Sequence, residues 1–250
     1  MRLDNYLFEK KLVRSRSHAK SLIQESKIKV NNFVITKPNY KIKFEDIVEG
    51  DFDNVVGRGY YKLAGAIKNV NLIIENKICL DIGSSTGGFT QCLIENEAQK
   101  VYAFDVGTEQ FDKNLLSKNF DKIILNENTD IRSILNNQEN KDKNSNKKFE
   151  NFFDIIVCDV SFISILSILD VIKFALSQNG KALLLIKPQF EVGRANTKKG
   201  IVKDLDIMSK TLETIKESFV EEGFLILDFF ESSIKGGDGN TEYFLFLERS

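Results

Sequence analysis

Cysteine is scarce in this 250-residue chain: only Cys79, Cys92 and Cys158 are present, with no CxxC pair among them. That usage excludes a disulfide scaffold and a zinc site, and the apolar neighbours of each cysteine suit a small core-filling residue in a reduced compartment. Long apolar runs are missing too. The longest, 182–186 and 243–247, are five residues each, whereas about twenty are needed to cross a bilayer. No apolar signal-peptide core follows Met1, so a cytoplasmic protein with no membrane partner is expected. Histidine is reduced to His18. Without a cysteine or carboxylate partner it reads as a surface contact, and no metal is expected.

A charged fraction of 28% and a hydrophobic fraction of 42% fit one full-sized soluble domain with a small accessory module. The net charge of −1 hides a division. Residues 1–50 carry eleven Lys/Arg against six Asp/Glu, net +5, and the remaining 200 carry twenty-four against thirty, net −6. A basic head suits a polyanionic partner, because neutralising phosphates with Lys/Arg supplies most sequence-independent affinity for nucleic acid; a merely solvated basic face is the alternative.

Within the head, Leu3, Leu7, Phe8 and Leu12 stand at helical spacing, and Ser15 or Ser17 can cap a second helix with Ala19, Leu22 and Ile23 on its apolar face. Residues 27–30 alternate polar and apolar, Asn31 and Asn32 supply a turn, 33–36 resumes as a strand, and 41–48 forms a third extended piece. This layout resembles the alpha-L RNA-binding domain, a small α+β domain first described in a ribosomal protein. The resemblance covers residues 1–50 and implies an RNA face of Arg2, Arg14, Ser15, Arg16, Lys20 and Lys29, with Arg58 beyond the junction.

Acids, Asn and Gly mark a linker at 51–58, and residues 59–250 read as a different fold. Apolar strand candidates fall at 77–82, 100–105, 122–126, 153–159, 181–187, 224–231 and 241–248. Segments long enough for helices separate most of the first six, among them 87–97 and 161–178, which implies a parallel, doubly wound α/β sheet. Only residues 232–240 join the last two strands, too few for a helical crossover, so the final strand is expected to run antiparallel beside its predecessor. Seven strands with a reversed terminal hairpin resemble the Rossmann-like fold of S-adenosylmethionine-dependent methyltransferases. Residues 136–148 form a polar, low-complexity insertion, read as a mobile surface loop.

The first strand-to-helix turn, Leu80-Asp-Ile-Gly-Ser-Ser-Thr-Gly-Gly-Phe-Thr90, marks a ligand site. Gly83 lets the chain turn sharply, and Gly87 and Gly88 open the next helix with no side chain at its N-terminus. A P-loop would need lysine where Phe89 stands, and a dinucleotide fingerprint would need its second glycine where Ser85 stands. Nucleotide hydrolysis and nicotinamide or flavin cofactors are therefore disfavoured. A phosphate-free ligand such as S-adenosylmethionine suits the Ser and Thr groups, with Asp105, 22 residues beyond Gly83, placed either to accept bonds from ribose hydroxyls or to cap a helix.

Asp159 ends the fourth strand and Lys187 the fifth, at the carboxyl edge where open α/β sheets bind ligands. An ammonium beside the apolar 182–186 run needs a carboxylate partner or a depressed pKa, and Asp159 can supply the first. Two further charges, Lys62 on a helix over 58–69 and Glu242 at the start of the last strand, are not brought to the site by periodicity alone.

Six motifs in order, Arg58-Gly-Tyr-Tyr-Lys-Leu-Ala-Gly-Ala66, Asp81-Ile-Gly-Ser-Ser-Thr-Gly-Gly-Phe-Thr90, Asp159-Val-Ser-Phe-Ile-Ser164, Ile186-Lys-Pro-Gln-Phe-Glu191, Lys199-Gly-Ile-Val-Lys-Asp204 and Ile234-Lys-Gly-Gly-Asp-Gly-Asn-Thr-Glu-Tyr243, are together similar to the haemolysin A, or TlyA, family. The likeness spans nearly the whole chain. It implies an FtsJ-like methyltransferase domain behind the alpha-L head, S-adenosyl-L-methionine as cofactor, and 2'-O-methylation of cytidine in ribosomal RNA, free or in a subunit. On that likeness the Lys-Asp-Lys-Glu catalytic set falls on Lys62, Asp159, Lys187 and Glu242. The implied cofactor contacts are Asp81, Gly83, Ser84, Ser85, Thr86, Gly87, Phe89, Asp105, Asp130 and Asp159. Two motifs depart from the family pattern: Ser-Arg-Gly-Gly reads Gly57-Arg-Gly-Tyr60, and Thr-Asn-x-Arg reads Thr129-Asp-Ile-Arg132. The chain resembles the family's shorter subtype, associated with large-subunit rRNA. Lys187, its pKa lowered by Lys62 and desolvation, is the favoured proton acceptor within a cluster that titrates together. Two rival readings stand beside this one: a non-catalytic ribosome-binding factor, and a cytolysin, for which no lipid-facing helix, barrel or amphipathic segment is evident.

Overall fold

The computed structural model describes residues 1–10, 12–13, 15–43, 45–50, 55–136, 148–198, 200–236 and 239–250. Arg14, residues 51–54 of the expected linker and 137–147 of the expected surface loop lie outside the described residues. The chain divides into two compact units, Met1–Gly57 and Arg58–Ser250.

In the first unit, helices α1 (Leu3–Glu9) and α2 (Arg16–Gln24) precede strands β1 (Ile28–Val30), β2 (Phe33–Val34) and β3 (Val48–Gly50), which form an antiparallel sheet in the order β2-β1-β3. Ser15, not Ser17, is the cap of α2: its hydroxyl accepts the His18 N–H at 3.1 Å, satisfying one of the orphan donors of the first turn. Leu3, Leu7, Ala19, Leu22, Ile23, Ile28 and Val30 bury one common core. Phe8 is exposed instead. It follows Leu7 by a 100° rotation about the helix and so falls off the stripe that Leu3 and Leu7 bury. Asn31 and Asn32 take φ of +50° and +67°, the left-handed pair that a tight two-residue hairpin requires.

The second unit runs α3 (Gly59–Val70), β4 (Ile78–Ile82), α4 (Gly88–Glu95), β5 (Lys100–Phe104), α5 (Lys113–Lys118), β6 (Ile123–Asn126), α6 (Ser133–Asn136), β7 (Phe153–Cys158), a 3-10 turn (Ile165–Ile168), α7 (Leu169–Ala175), β8 (Leu176–Ile186), α8 (Pro188–Glu191), a small hairpin of β9 (Thr197–Lys198) and β10 (Ile201–Val202), α9 (Leu205–Glu221), β11 (Phe224–Glu231) and β12 (Tyr243–Arg249). Seven strands lie in the order β11-β12-β8-β7-β4-β5-β6. Those from β8 to β6 are parallel, and β12 runs antiparallel to both β8 and β11, which it separates. The helix expected over 161–178 is instead the 3-10 turn followed by the shorter α7, and β8 begins at Leu176.

Both faces of this sheet are buried. Leu80 and Ile156 pack into one core and Cys79 and Ile155 into the other, so the parallel strands read as continuous apolar runs. From β4 the chain proceeds outward to β5 and β6, then returns on the other side of β4 as β7. The carboxyl ends of β4 and β7 therefore flank a crevice at the point where the strand order reverses.

Candidate active site

A cleft of about 400 Å³ opens at that crevice, lined by Gly83, Ser85, Asp105, Asp130, Asp159 and Phe162, among others. Gly83 turns the chain at φ +83°, and a Cβ there would lie 2.7 Å from the Asp159 carbonyl oxygen, so only glycine allows β4 and β7 to end this close together. The Gly83 and Ser84 N–H groups both donate to the Phe104 carbonyl, at 2.8 and 3.1 Å. Asp105 accepts from the Ser85 N–H at 2.7 Å and the Gly107 N–H at 2.6 Å. Its carboxylate thus braces the loops on either side of the cleft and keeps lone pairs for a ligand. Asp130 forms a fork with Arg132 on the rim, Arg132 Nη2 lying 2.5 Å from Oδ2. That guanidinium holds the Asp130 carboxyl below the usual carboxylate range.

Other residues of the glycine turn lie behind the wall. Asp81 is fully buried and accepts the Thr90 hydroxyl at 2.6 Å on Oδ2. Burial pushes its carboxyl up to about 7, the Thr90 bond opposes the rise, and the charge of Asp159 adds to it. Phe89 is buried in the core that includes Leu63 and Phe244, and Gly87 is buried, while Thr86 is exposed on the turn. The Ser84 hydroxyl and Asp81 Oδ1 are buried without a hydrogen-bond partner.

Two ammonium–carboxylate pairs stand at the end of the sheet. Lys187, 9% exposed, reaches Asp159 Oδ1 at 2.6 Å and donates to the Ser161 hydroxyl at 2.7 Å. Lys62, 8% exposed, reaches Glu242 Oε2 at 2.5 Å, and Glu242 is 3% exposed. The pairs are neighbours by construction. Tyr243 is registered against Ile186 in the antiparallel β12–β8 pair, so Glu242 and Lys187 are the next residues outward on adjoining strands. From the other side, a Cβ on Gly59, one turn before Lys62 on α3, would lie 3.9 Å from Asp159 Oδ2. Gly236 makes room for the second pair, because a Cβ there would lie 2.6 Å from Glu242 Oε1. The β11–β12 loop that carries it is fastened by the Asn240 amide, which donates to the Gly200 carbonyl at 2.8 Å in the β9–β10 turn.

Two features of this site were not foreseen from sequence. Phe162, 86% exposed at φ +68°, holds its ring on the cleft rim 5.0 Å from the Phe190 ring, an unusual posture for a large apolar residue. Glu191 accepts the Ser164 hydroxyl at 2.6 Å and the Ile165 N–H at 2.9 Å, bolting the turn after Lys187 to the turn after Asp159. Burial raises its carboxyl and those two bonds oppose the rise.

In the first unit, Arg2 and Arg16 face the buried carboxylate of Asp4 at 2.9 and 3.7 Å, and the Arg2 hydrogen bonds, ahead of other causes, hold Asp4 below its usual range. Lys20 and Lys29 are exposed, Ser15 is spent on its cap, and Arg58, exposed, precedes α3 in the second unit. Among the described residues, no helix is long and apolar enough to cross a membrane, and no group of three or more His, Cys, Asp or Glu is placed to hold a metal ion.

Comparison with known proteins agrees with this architecture. Residues 55–249 match the FtsJ-like methyltransferase family and residues 1–48 match the S4 domain. The chain is 37% identical to the 23S rRNA (cytidine-2'-O)-methyltransferase TlyA of Campylobacter jejuni, covering 98% of each chain. It is also 37% identical to Hemolysin A of Brachyspira hyodysenteriae, over 97% of this chain and 98% of that one. A solved structure from Streptococcus thermophilus, named as a hemolysin, superposes with a TM-score of 0.72 at 33% identity, covering 100% of this chain and 88% of its own.

Proposed function

The chain belongs to the TlyA family of FtsJ-like methyltransferases, and on that premise we propose that it methylates the ribose 2'-hydroxyl of a cytidine in large-subunit ribosomal RNA, using S-adenosylmethionine. The observation that carries this reading is the pair of buried lysines, each held by its own carboxylate, at the carboxyl end of the sheet beside a cleft walled by Asp105, Asp130 and Asp159. The residues present fit the methyl donor. Asp105, Asp130 and Asp159 on the cleft wall suit a cationic ligand rich in hydrogen-bond donors, and the orphaned Ser84 hydroxyl and Asp81 Oδ1 lie in the turn that would receive its amino-acid end. Phe89 supports the turn from behind.

When bound, S-adenosylmethionine supplies a methyl group that already carries its leaving group. What the protein must add is alignment of a weak nucleophile and a route for its proton. Lys187 and Lys62 are the groups that can hold the ribose oxygen. Asp159 and Glu242 fix the two amines, and the cluster as a whole accepts the hydroxyl proton, Lys187 taking it when its nitrogen stands as the neutral amine and becoming the ammonium. Phe162 and Phe190 offer ring faces at the rim on which an unstacked base can rest. The exposed Arg16, Lys20 and Lys29, with Arg2, supply phosphate contacts from the S4 domain. The relatives' hemolysin names fit no membrane-spanning helix among the described residues. Mapping ribose methylation across rRNA from cells with and without the gene tests the proposal: loss of a 2'-O-methylcytidine from large-subunit rRNA is expected, and identical maps would overturn it.

A further inference from the structure

The chain turns sharply after Asp159. Phe162 takes φ +68°, a conformation that costs a residue with a Cβ on the order of 1 kcal/mol. The turn leaves Ser161 exposed on the cleft wall with its hydroxyl toward Lys187, and leaves the Phe162 ring on the rim. Strain of this kind persists where surrounding structure enforces it, and here Glu191 does so, gripping Ser164 and Ile165 from four residues beyond Lys187. The segments 159–165 and 187–191 are therefore stitched at two places, Lys187 to Asp159 and Ser161 at one, Glu191 to Ser164 and Ile165 at the other.

A lysine ammonium has three N–H donors and no acceptor, and it spins freely about its last C–N bond unless its donors are engaged. One acceptor off the C–N axis that takes an aligned N–H stops this rotation and sets the directions of the other two. Asp159 Oδ1, 2.6 Å from Lys187 Nζ, pairs with it as a charge without accepting an aligned hydrogen bond, whereas Ser161 Oγ at 2.7 Å takes one of its N–H groups. The directions of the other two valences then follow from tetrahedral geometry. We infer that Ser161 is a positioning residue for Lys187: it engages one N–H and so fixes the direction in which the nitrogen meets the ribose oxygen. The inference rests on the proposed methyltransfer and assigns a role outside the four-residue catalytic set. Asp159 does not do this, since its charge pairing with Lys187 lacks an aligned hydrogen bond and leaves the amine free to rotate through wrong orientations, and rate is lost in proportion to the fraction of time misaligned.

The test compares Ser161→Ala and Ser161→Thr with the wild-type full-length protein, using rRNA and labelled S-adenosylmethionine. Ser161→Ala should lower kcat about 10- to 100-fold. The Kd values for S-adenosylmethionine and rRNA should stay within about twofold. Threonine, which keeps the hydroxyl, should restore most of the rate. Acylation of Lys187 by a small amine-reactive reagent, read by mass spectrometry, should be faster in Ser161→Ala than in wild type or Ser161→Thr, whatever the enzyme's activity. Unchanged kcat and labelling in Ser161→Ala would overturn the inference, as would a loss confined to ligand affinity or a loss that threonine fails to restore. If wild-type protein transferred no methyl group at all, the proposed function itself would fall, a result distinct from an active wild type and an equally active alanine variant.

Discussion

Arg16, Lys20 and Lys29 in the S4 domain stand at the surface, where Asp4 is the ion-pair partner of Arg2 and Arg16, whereas Lys62 and Lys187 in the methyltransferase domain are about nine-tenths buried and each is matched to one carboxylate. Exposed charges keep most of their hydration, act over a Debye length and give up little when one is removed. Buried charges have surrendered their water and depend on their partners, so removing one member strands the other. On the proposed function the same residue types serve two purposes: a diffuse attraction for a polyanion in one domain, and a fixed arrangement of amines about one oxygen in the other.

Substitutions should separate the two. Lys187→Ala should lower single-turnover methyl transfer by on the order of 1,000-fold while Kd for S-adenosylmethionine and for rRNA is retained; a comparable loss from an S4-domain lysine would break the distinction. Glu242→Ala strands the Lys62 ammonium at 8% exposure, and urea denaturation should show a loss of about 3 kcal/mol. The double variant Lys62→Met/Glu242→Leu should regain most of that stability and none of the activity.

Asp81 gives a pH signature. Its carboxyl is raised from 3.8 to about 7 in the folded chain, so the folded state keeps the proton that the unfolded state releases first. The contribution of Asp81 to stability is therefore largest below pH 4 and declines by up to about 1.4 kcal/mol per unit as pH rises toward 7, then levels off. Asp81→Asn should remove that slope, so the difference in denaturation midpoint between variant and wild type should change between pH 4 and 7 and be constant above. Smallest of all, Lys20→Ala should weaken rRNA binding a few-fold and reduce the salt dependence of log K by about 1, with kcat at saturating RNA unchanged.

The sequence revealed what is local and what is patterned. Alternating apolar runs and helix-length gaps located the seven strands, the short 232–240 connection foretold the antiparallel end, and the departures at Ser85 and Phe89 pointed away from phosphate ligands. Long-range register was not legible. Nothing in the periodicity says that β12 enters between β8 and β11, yet that insertion is what sets Glu242 beside Lys187. Pattern reading put Lys187 at a strand end, but only family likeness added Lys62 and Glu242 to the set. Nor could spacing show that Asp81 and Phe89 are buried rather than on the cleft wall, since the direction of a side chain at a strand end or first helical turn depends on the neighbouring elements. Ser161, Phe162 and Glu191 were hidden for a related reason: their roles arise from one strained turn and the hydrogen bonds that hold it.

The most direct test is to incubate the purified protein with unmethylated large ribosomal subunits and S-adenosylmethionine carrying an isotopic methyl group, then digest the rRNA to nucleosides. Label should appear in 2'-O-methylcytidine with the wild-type chain and vanish with Lys187→Ala. Label on a base rather than a ribose, or undiminished ribose label with Lys187→Ala, would contradict the account.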